Sequence, residues 1–261
     1  MKRIALFLLV AFSAMNITSD ISAQTICENG FAGEYACDGY DLYTYFPLSS
    51  VGGGDNGNDC WGWVDSESGR EFVLFGRSDG MSVVEITDPL APSYIANLPT
   101  ATYPSLWRDI KVIGDYAFIG SEAGMHGMQI LDLTQVLDLS GFPFNITATS
   151  NYLGFGNAHN LAANPETNYV YGVGTNTFGG GLHIVDVSNP EAPFLAGSYD
   201  GAYSHDVQPV IYNGLDADYQ GQEIVFCFNG QSGLAIVNAE DKSDVYLIKE
   251  ITYENGFYTH Q

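Results

Sequence analysis

The pattern of Gly181-Leu-His-Ile-Val-Asp-Val-Ser-Asn-Pro190 occurs four times in the chain and is the main sequence evidence for its fold. Each copy has a glycine, a short aliphatic run, an acidic or amide residue and then turn-forming polar residues. The other copies begin at Gly80, Gly127 and Gly233, so the pattern recurs at intervals of about 50 residues. A fixed period of this kind indicates a repeat architecture.

Each repeat divides into segments that have the composition of β-strands. The third repeat shows four in order: a strand with a polar start at residues 159–163, a hydrophobic strand at 169–173, the glycine-led strand, and an edge strand at 193–196. Runs rich in Val, Ile, Phe and Tyr between Gly, Asn, Asp and Pro are typical of strands. No long stretch has a helical period, and a helical turn is expected only at residues 133–139.

Four strands in about 50 residues are the signature of a β-propeller blade. We therefore predict an all-β protein, a β-propeller of four-stranded blades. The sequence holds four such blades and the start of a fifth at residues 258–261. Because a propeller closes into a ring, we expect the chain to be truncated at its C-terminal end.

The composition divides the chain into three parts. Residues 1–23 have the pattern of an export signal, with Lys2 and Arg3, an apolar run and a small-residue cleavage site before Gln24. Residues 24–59 form a segment with two cysteines that we expect to pack on the propeller, and residues 60–261 form the blades. The apolar run is too short to span a bilayer, so we predict an exported protein with no transmembrane segment.

The charge of the chain limits its partners. With 31 acidic and 8 basic residues, the formal net charge is −23 at pH 7. Such an acidic surface repels phosphate backbones and anionic lipids, which excludes nucleic acid as a partner and favours divalent cations. A hydrophobic content of 46% argues against disorder.

Four cysteines in an exported chain are able to pair. Cys27 and Cys37 enclose a short polar loop, so we predict a disulfide bond between them. Cys60 and Cys227 lie beside or inside apolar strands. The sequence leaves open whether these two form a long-range disulfide or stay as free thiols.

Several motifs resemble those of known exported proteins. They lie at residues 27–37, 58–63, 76–80, 107–112, 121–129, 158–160, 203–206 and 258–261. In these motifs the chain resembles the LVIVD-repeat proteins, and more closely the exported bacterial family called choice-of-anchor B. The resemblance implies a propeller-like fold, export, and anchoring, for example at the outer membrane, through a C-terminal signal that this sequence lacks. It implies no established activity.

Histidines head the first strand of three repeats, as His159-Asn160, His205-Asp206 and His260-Gln261, and Arg108-Asp109 takes this place in another. The first strand of a blade lines the central channel, so we expect these side chains to converge at one mouth of it. An alternative is that repeated polar residues hydrogen-bond between blades. The predicted binding residues are Arg108, Asp109, Glu122, His126, His159, Asn160, His205, Asp206 and His260.

Two kinds of metal site are compatible with the sequence. Imidazoles suit zinc, with His126, His159, His205 and His260 as the predicted ligands. Carboxylate loops suit calcium, with Asp55, Asp59, Asp216 and Asp218 as ligands, although the spacing of these acids favours solvated turns. Trp61, Trp63 and Trp107 suit packing between blades, or stacking on sugars or peptides if they are exposed.

Two functions follow from these features. The first is an exported or cell-surface scaffold that binds a protein, a glycan or a divalent ion and has no catalytic role. The second is a metal-dependent hydrolase or lyase that uses zinc at the channel histidines. The cofactor, if any, is a divalent metal, either zinc or calcium. No recognisable catalytic motif decides between the two functions.

Overall fold

The computed structural model describes residues 24–139, 143–254 and 258–260. The predicted export signal at residues 1–23 lies outside the described residues. The chain divides between Thr44 and Tyr45 into two compact units. The described part is all-β, and its helical content is limited to short 3-10 turns. In this part no helix has the length and apolar character that crossing a membrane requires.

The smaller unit contains a short antiparallel hairpin of β1 (Phe31–Ala32) and β2 (Tyr35–Ala36). A disulfide bond joins Cys27 to Cys37 and encloses this hairpin. The Asp41 carboxylate accepts a hydrogen bond of 2.8 Å from the N–H of Cys27. The predicted disulfide is therefore confirmed.

The larger unit contains four main sheets, one for each repeat. The first two are built from β3 (Gly57–Val64), β4 (Glu71–Arg77), β5 (Gly80–Glu85), β6 (Ser93–Pro99), β7 (Arg108–Ile113), β8 (Tyr116–Ser121), β9 (Met128–Asp132), β10 (Phe144–Asn145) and β11 (Ser150–Tyr152). The last two are built from β12 (Asn160–Asn164), β13 (Tyr169–Val173), β14 (Leu182–Asp186), β15 (Phe194–Tyr199), β16 (Asp206–Ile211), β17 (Glu223–Phe228), β18 (Leu234–Asn238) and β19 (Tyr246–Ile251).

The first sheet has five strands instead of the predicted four. After β9 the chain reaches the first sheet, where β10 pairs in parallel with β6, and then returns to the second sheet as β11. Asn97 Nδ2 donates a hydrogen bond of 2.7 Å to Asn145 Oδ1 across this pair. The predicted turn at residues 133–139 is present as a 3-10 helix over Leu133–Val136.

Along the central strands, alternate side chains pack in hydrophobic clusters on opposite faces of the sheet. In β8, Ala117 and Ile119 pack with the first sheet, whereas Phe118 packs with the third. In β13, Val170 packs with the second sheet and Tyr171 with the fourth. Because side chains alternate across a strand, a sheet with neighbours on both faces needs apolar residues at every position. This explains the nearly continuous hydrophobic runs of the repeats.

The first strands of the four sheets are β3, β7, β12 and β16, which we call the leading strands. They lie side by side in chain order, with β7 next to β3, β12 next to β7, and β16 next to β12. The all-β class is confirmed, and three of the four main sheets have the predicted four strands. Closure into a ring and the number of blades stay predictions.

The glycine at the start of the third strand of each repeat allows this strand and the outer strand to approach closely. A Cβ atom on Gly181 would overlap the backbone carbonyl oxygen of Tyr199 in the neighbouring outer strand. The equivalent oxygen belongs to Leu98 for Gly80 and to Ile251 for Gly233. The recurring glycine therefore reflects the lack of room for a side chain where the third strand meets the outer edge.

Candidate functional site

The N-terminal ends of the leading strands open onto a cavity of about 460 Å³, which we call the mouth pocket. Its lining residues are Asn58, Asp59, Trp107, Arg108, Asp109, His159, Asn160, His205, Tyr258 and His260. A second cavity of about 360 Å³, the lower cavity, adjoins it, because Asp59, Asp109 and Asn160 line both.

Three of the four predicted ligand histidines meet in the mouth pocket. The Nε2 atoms of His159 and His205 are 2.8 Å apart, and the ring centroids of His205 and His260 are 4.6 Å apart. Trp107 lies edge-on to His159 with 6.2 Å between ring centroids, and Tyr258 lies edge-on to His205 at 5.2 Å. We call His159, His205 and His260 the histidine row. Their convergence at one opening matches the sequence-based expectation.

Glu122 orients the ring of His159. His159 Nδ1 donates a hydrogen bond of 2.5 Å to Glu122 Oε1, and when His159 is neutral its Nε2 accepts from His205 Nε2 in their mutual contact. His205 Nδ1 is then an acceptor, and it is buried with no hydrogen-bond partner among the described residues. Burial and the neighbouring imidazoles lower the pKa of His205. At the other end, His260 Nδ1 lies 3.7 Å from Asp206 Oδ2, so carboxylates flank the row on both sides.

Arg108 and His126 do not join the row. The Arg108 side chain is buried and donates to the carbonyl oxygen of Arg77 at 2.9 Å and to Thr100 Oγ1 at 2.8 Å. Its Nη1 lies 3.0 Å from His126 Nε2. Burial lowers the pKa of Arg108 to about 10 and that of His126 to about 4. Both predicted binding residues are interior groups that hold the first two sheets together.

Two predicted aspartates connect neighbouring leading strands. Asp59 Oδ2 accepts a hydrogen bond of 2.9 Å from the N–H of Ile110, and Asp109 Oδ2 accepts one of 2.5 Å from the N–H of Leu161. Lys111 Nζ lies 2.6 Å from Asp109 Oδ1 and 3.5 Å from Asp59 Oδ2. Burial raises the pKa of Asp109 to about 8. For these residues the geometry supports the alternative in which repeated polar groups bond between repeats.

The two remaining predicted binding residues line the lower cavity. Asn160 lines both cavities, and Asp206 lines the lower cavity, where its Oδ1 accepts a hydrogen bond of 2.9 Å from the N–H of Val207. Asn160 is therefore accessible from the mouth pocket, whereas Asp206 belongs to the lower cavity.

The acidic loops have turn geometry. The N–H of Asp55 donates to Ser78 Oγ at 3.0 Å, and Asp216 Oδ1 accepts a hydrogen bond of 3.1 Å from the N–H of Asp218. Asp216 and Asp218 are exposed. Among the described residues, no group of three or more His, Cys, Asp or Glu side chains is arranged to hold a metal ion.

Two exposed tyrosines near the histidine row were not among the predicted site residues. Tyr203 and Tyr258 are 48% and 49% exposed. Trp107, for which the sequence predicted packing or stacking, is 44% exposed. Each tyrosine precedes a histidine of the row by two residues, and this shared offset was the available signal. Trp63, in contrast, is buried and stacks on Phe72 with 5.0 Å between ring centroids.

Cys60 and Cys227 are not bonded to each other. Cys60 is exposed, whereas Cys227 is buried, and burial raises the pKa of its thiol to about 12. Of the two alternatives left open by the sequence, the free thiols are correct.

The family model for the LVIVD repeat matches residues 107–133 and 156–201, which contain most of the second and third sheets. No curated protein gives a significant match to the sequence.

Three solved structures match the chain at low sequence identity. The periplasmic gluconolactonase PpgL of Pseudomonas aeruginosa is 12% identical, with a TM-score of 0.49 over 74% of this chain and 58% of its own. The extracellular domain of BT4673 from B. thetaiotaomicron is 14% identical, with a TM-score of 0.37 over 81% of this chain and 34% of its own. A candidate exo-beta-1,3-galactanase from Bifidobacterium bifidum s17 is 12% identical, with a TM-score of 0.41 over 78% of this chain and 74% of its own.

The chain thus spans less than two thirds of the length of the first two of these proteins. The matched residues lie on the second and third of the repeats found in the sequence. Residues 107–133 and 156–201 are therefore LVIVD repeats.

Proposed function

We propose that this chain is an exported β-propeller that serves as a binding scaffold outside the cell, with its ligand site in the mouth pocket. The ordered contacts of the leading strands support the propeller, because in that fold the first strand of each blade lines the axis. The two-sided apolar packing of the second and third sheets supports it further, since it leaves them covered on both faces.

Three features support export. The N-terminal sequence has the basic start, apolar run and small-residue site of a signal. The Cys27–Cys37 disulfide suits an oxidising compartment. The motifs that resemble the choice-of-anchor B family point the same way, because that resemblance implies export.

The observation that carries the binding role is the convergence of the histidine row with Trp107 and Tyr258 in one cavity. Its volume of about 460 Å³ is in the range of small-molecule sites. The cavity combines aromatic surface with a few directed polar groups, which is the composition of ligand pockets. A rigid repeat scaffold holds these side chains in place.

Imidazole resonances provide a test, because the chain has five histidines and only three are in the row. We expect a ligand in the mouth pocket to shift the Cε1–H signals of His159, His205 and His260, and to leave those of buried His126 and His183 unchanged. Suitable probes are neutral disaccharides, a mixture of short peptides, calcium chloride and zinc chloride. If no probe shifts the row, or if every probe shifts all five signals equally, the mouth pocket is not the ligand site.

A metal-dependent enzyme is the second candidate function. The Glu122 carboxylate orients His159 as carboxylates orient metal-ligating imidazoles, and two Nε2 atoms already face each other. Two nitrogens bound to one zinc lie about 3.3 Å apart, so His159 and His205 would have to separate slightly. Elemental analysis separates the candidates. Stoichiometric zinc that is lost in His159→Ala and His205→Ala supports the enzyme, whereas metal-free protein supports the scaffold.

A further inference from the structure

We propose that the mouth pocket binds a neutral saccharide, whose ring stacks on Trp107 at the rim. This inference rests on the proposed binding function of the pocket and names the class of its ligand. Two observations support it: exposed aromatic side chains border the pocket, and polar groups line it. In addition, among the described residues, the charged groups near the opening are already paired with other protein groups.

Aromatic surface borders the histidine row at His159 and at His205. Trp107 is 44% exposed next to His159, and Tyr258 is 49% exposed next to His205. Single exposed apolar residues are common, but here two large rings border one cavity. Tryptophan and tyrosine offer a flat apolar face beside a hydrogen-bonding group. The C–H face of a pyranose matches such a surface.

The polar groups between the rings suit hydroxyl partners. Asn160 presents an amide with both donors and an acceptor, and the imidazoles of His205 and His260 line the same cavity. A hydroxyl group also donates and accepts, so it can pair with the amide through either kind of bond. A hydrocarbon ligand would leave the Asn160 amide without a partner, which is unfavourable.

The cationic groups near the pocket are already engaged. The Arg108 guanidinium is held by Arg77, Thr100 and His126. Lys111 Nζ bonds to Asp109 and lies 4.7 Å above the ring of Trp61. The net charge of −23 further disfavours a phosphate or carboxylate ligand.

The carboxylates of the pocket are engaged as well. Asp59 and Asp109 accept backbone hydrogen bonds and contact Lys111. Glu122 binds the Nδ1 proton of His159. A cationic ligand would therefore have to break existing pairs, and a neutral ligand is the class that fits.

The experiment measures binding to purified protein by calorimetry and by tryptophan fluorescence. The probes are neutral mono- and disaccharides of gluco, galacto and manno configuration, with glucuronic acid, glucosamine and a mixture of short peptides for comparison. The variants are Trp107→Ala, the conservative Trp107→Phe, and Trp61→Ala as a matched control, because Trp61 is similarly exposed but lines the lower cavity.

We expect at least one neutral saccharide to bind, with an affinity that falls about tenfold in Trp107→Ala and stays within about threefold in Trp107→Phe and Trp61→Ala. Two results would overturn the inference while leaving the binding function intact: peptides or a charged sugar bind and no neutral saccharide does, or Trp61→Ala weakens saccharide binding as much as Trp107→Ala. If no probe of any class binds, the proposed function fails too.

Discussion

Asp109 on the leading strand of the second sheet accepts a hydrogen bond from the backbone N–H of Leu161 on the leading strand of the third, with 2.5 Å between Oδ2 and N. Asp59 makes the equivalent bond to Ile110, one sheet earlier. The two strands in each case belong to different sheets, so these side chains take the place of a ladder between them. Neighbouring repeats are therefore joined along their leading strands by carboxyl groups and along their faces by apolar packing.

Replacing Asp109 with alanine is expected to destabilise the protein by about 2–3 kcal/mol, because the buried N–H of Leu161 loses its acceptor. Asp109→Asn should cost less than half of this, since its amide oxygen still accepts. Urea unfolding followed by fluorescence measures both. Equal stability of Asp109→Ala and the unchanged protein would show that the bond does not join the repeats.

The glycine of the repeat gives a second prediction. Gly181→Ala should destabilise the protein by about 2–3 kcal/mol, because the added Cβ meets the carbonyl oxygen of Tyr199 and forces the outer strand away. Gly62→Ala is the matched control, since the same Cβ would have no atom within 4 Å. Thermal unfolding compares the two. A smaller effect at Gly181 than at Gly62 would contradict the packing reason for the repeated glycine.

Acid should weaken the fold through its buried histidines. His183 is held between Tyr152 Oη at 2.7 Å and Thr177 Oγ1 at 2.8 Å, and burial lowers its pKa from 6.5 to about 4. Between these two values the unfolded chain binds a proton that the folded chain does not. Stability therefore falls as the pH drops from 6.5 towards 4, and His183 accounts for about 2 kcal/mol of this loss at pH 5.

The matched variant is His183→Gln, whose amide can bond to both hydroxyl groups. It should be less stable than the unchanged protein at pH 7, yet it should lose less stability between pH 7 and pH 5. Urea unfolding at the two pH values measures this difference. An NMR titration of folded protein in which His183 has a midpoint near 6.5 would exclude the account.

The disulfide is expected to protect the hairpin of the smaller unit. Closing a loop with a sequence separation of 10 lowers the conformational entropy of the unfolded segment, which stabilises the folded hairpin by about 3 kcal/mol. Cys27→Ser with Cys37→Ser should therefore speed chymotrypsin cleavage at the exposed Phe31 and Tyr35. Mass spectrometry follows the cleavage, with Cys60→Ser as the control that keeps the bond. Equal rates in all three proteins would mean that the hairpin is ordered without it.

The sequence was sufficient for the sheets and for the histidine row, because both follow from the repeat. Equivalent positions in successive repeats occupy equivalent places, so aligning His159, His205 and His260 was enough to predict that they converge. The strand periodicity and the loop between Cys27 and Cys37 are local signals of the same kind.

The buried position of the Arg108 side chain could not be predicted in this way. In its repeat Arg108 takes the position that a histidine has in the others. Its longer side chain, however, hydrogen-bonds to Arg77 in the first sheet and to Thr100 just after that sheet. His126 was assigned to the row from its position in a loop, but burial against Arg108 removes it. The strand β10 was missed because two residues carry no periodicity, and its pairing with β6 is decided by tertiary contacts.

The distance between the imidazoles of His159 and His205 tests most directly whether the histidine row converges in the mouth pocket. A nuclear Overhauser spectrum of protein with labelled histidine should show a cross-peak between their ring protons, since the two Nε2 atoms are 2.8 Å apart. The cross-peak should disappear in His205→Ala, while the signals of His126 and His183 stay in place. Two resolved His159 and His205 signals with no cross-peak between them would contradict the convergence on which the proposed site depends.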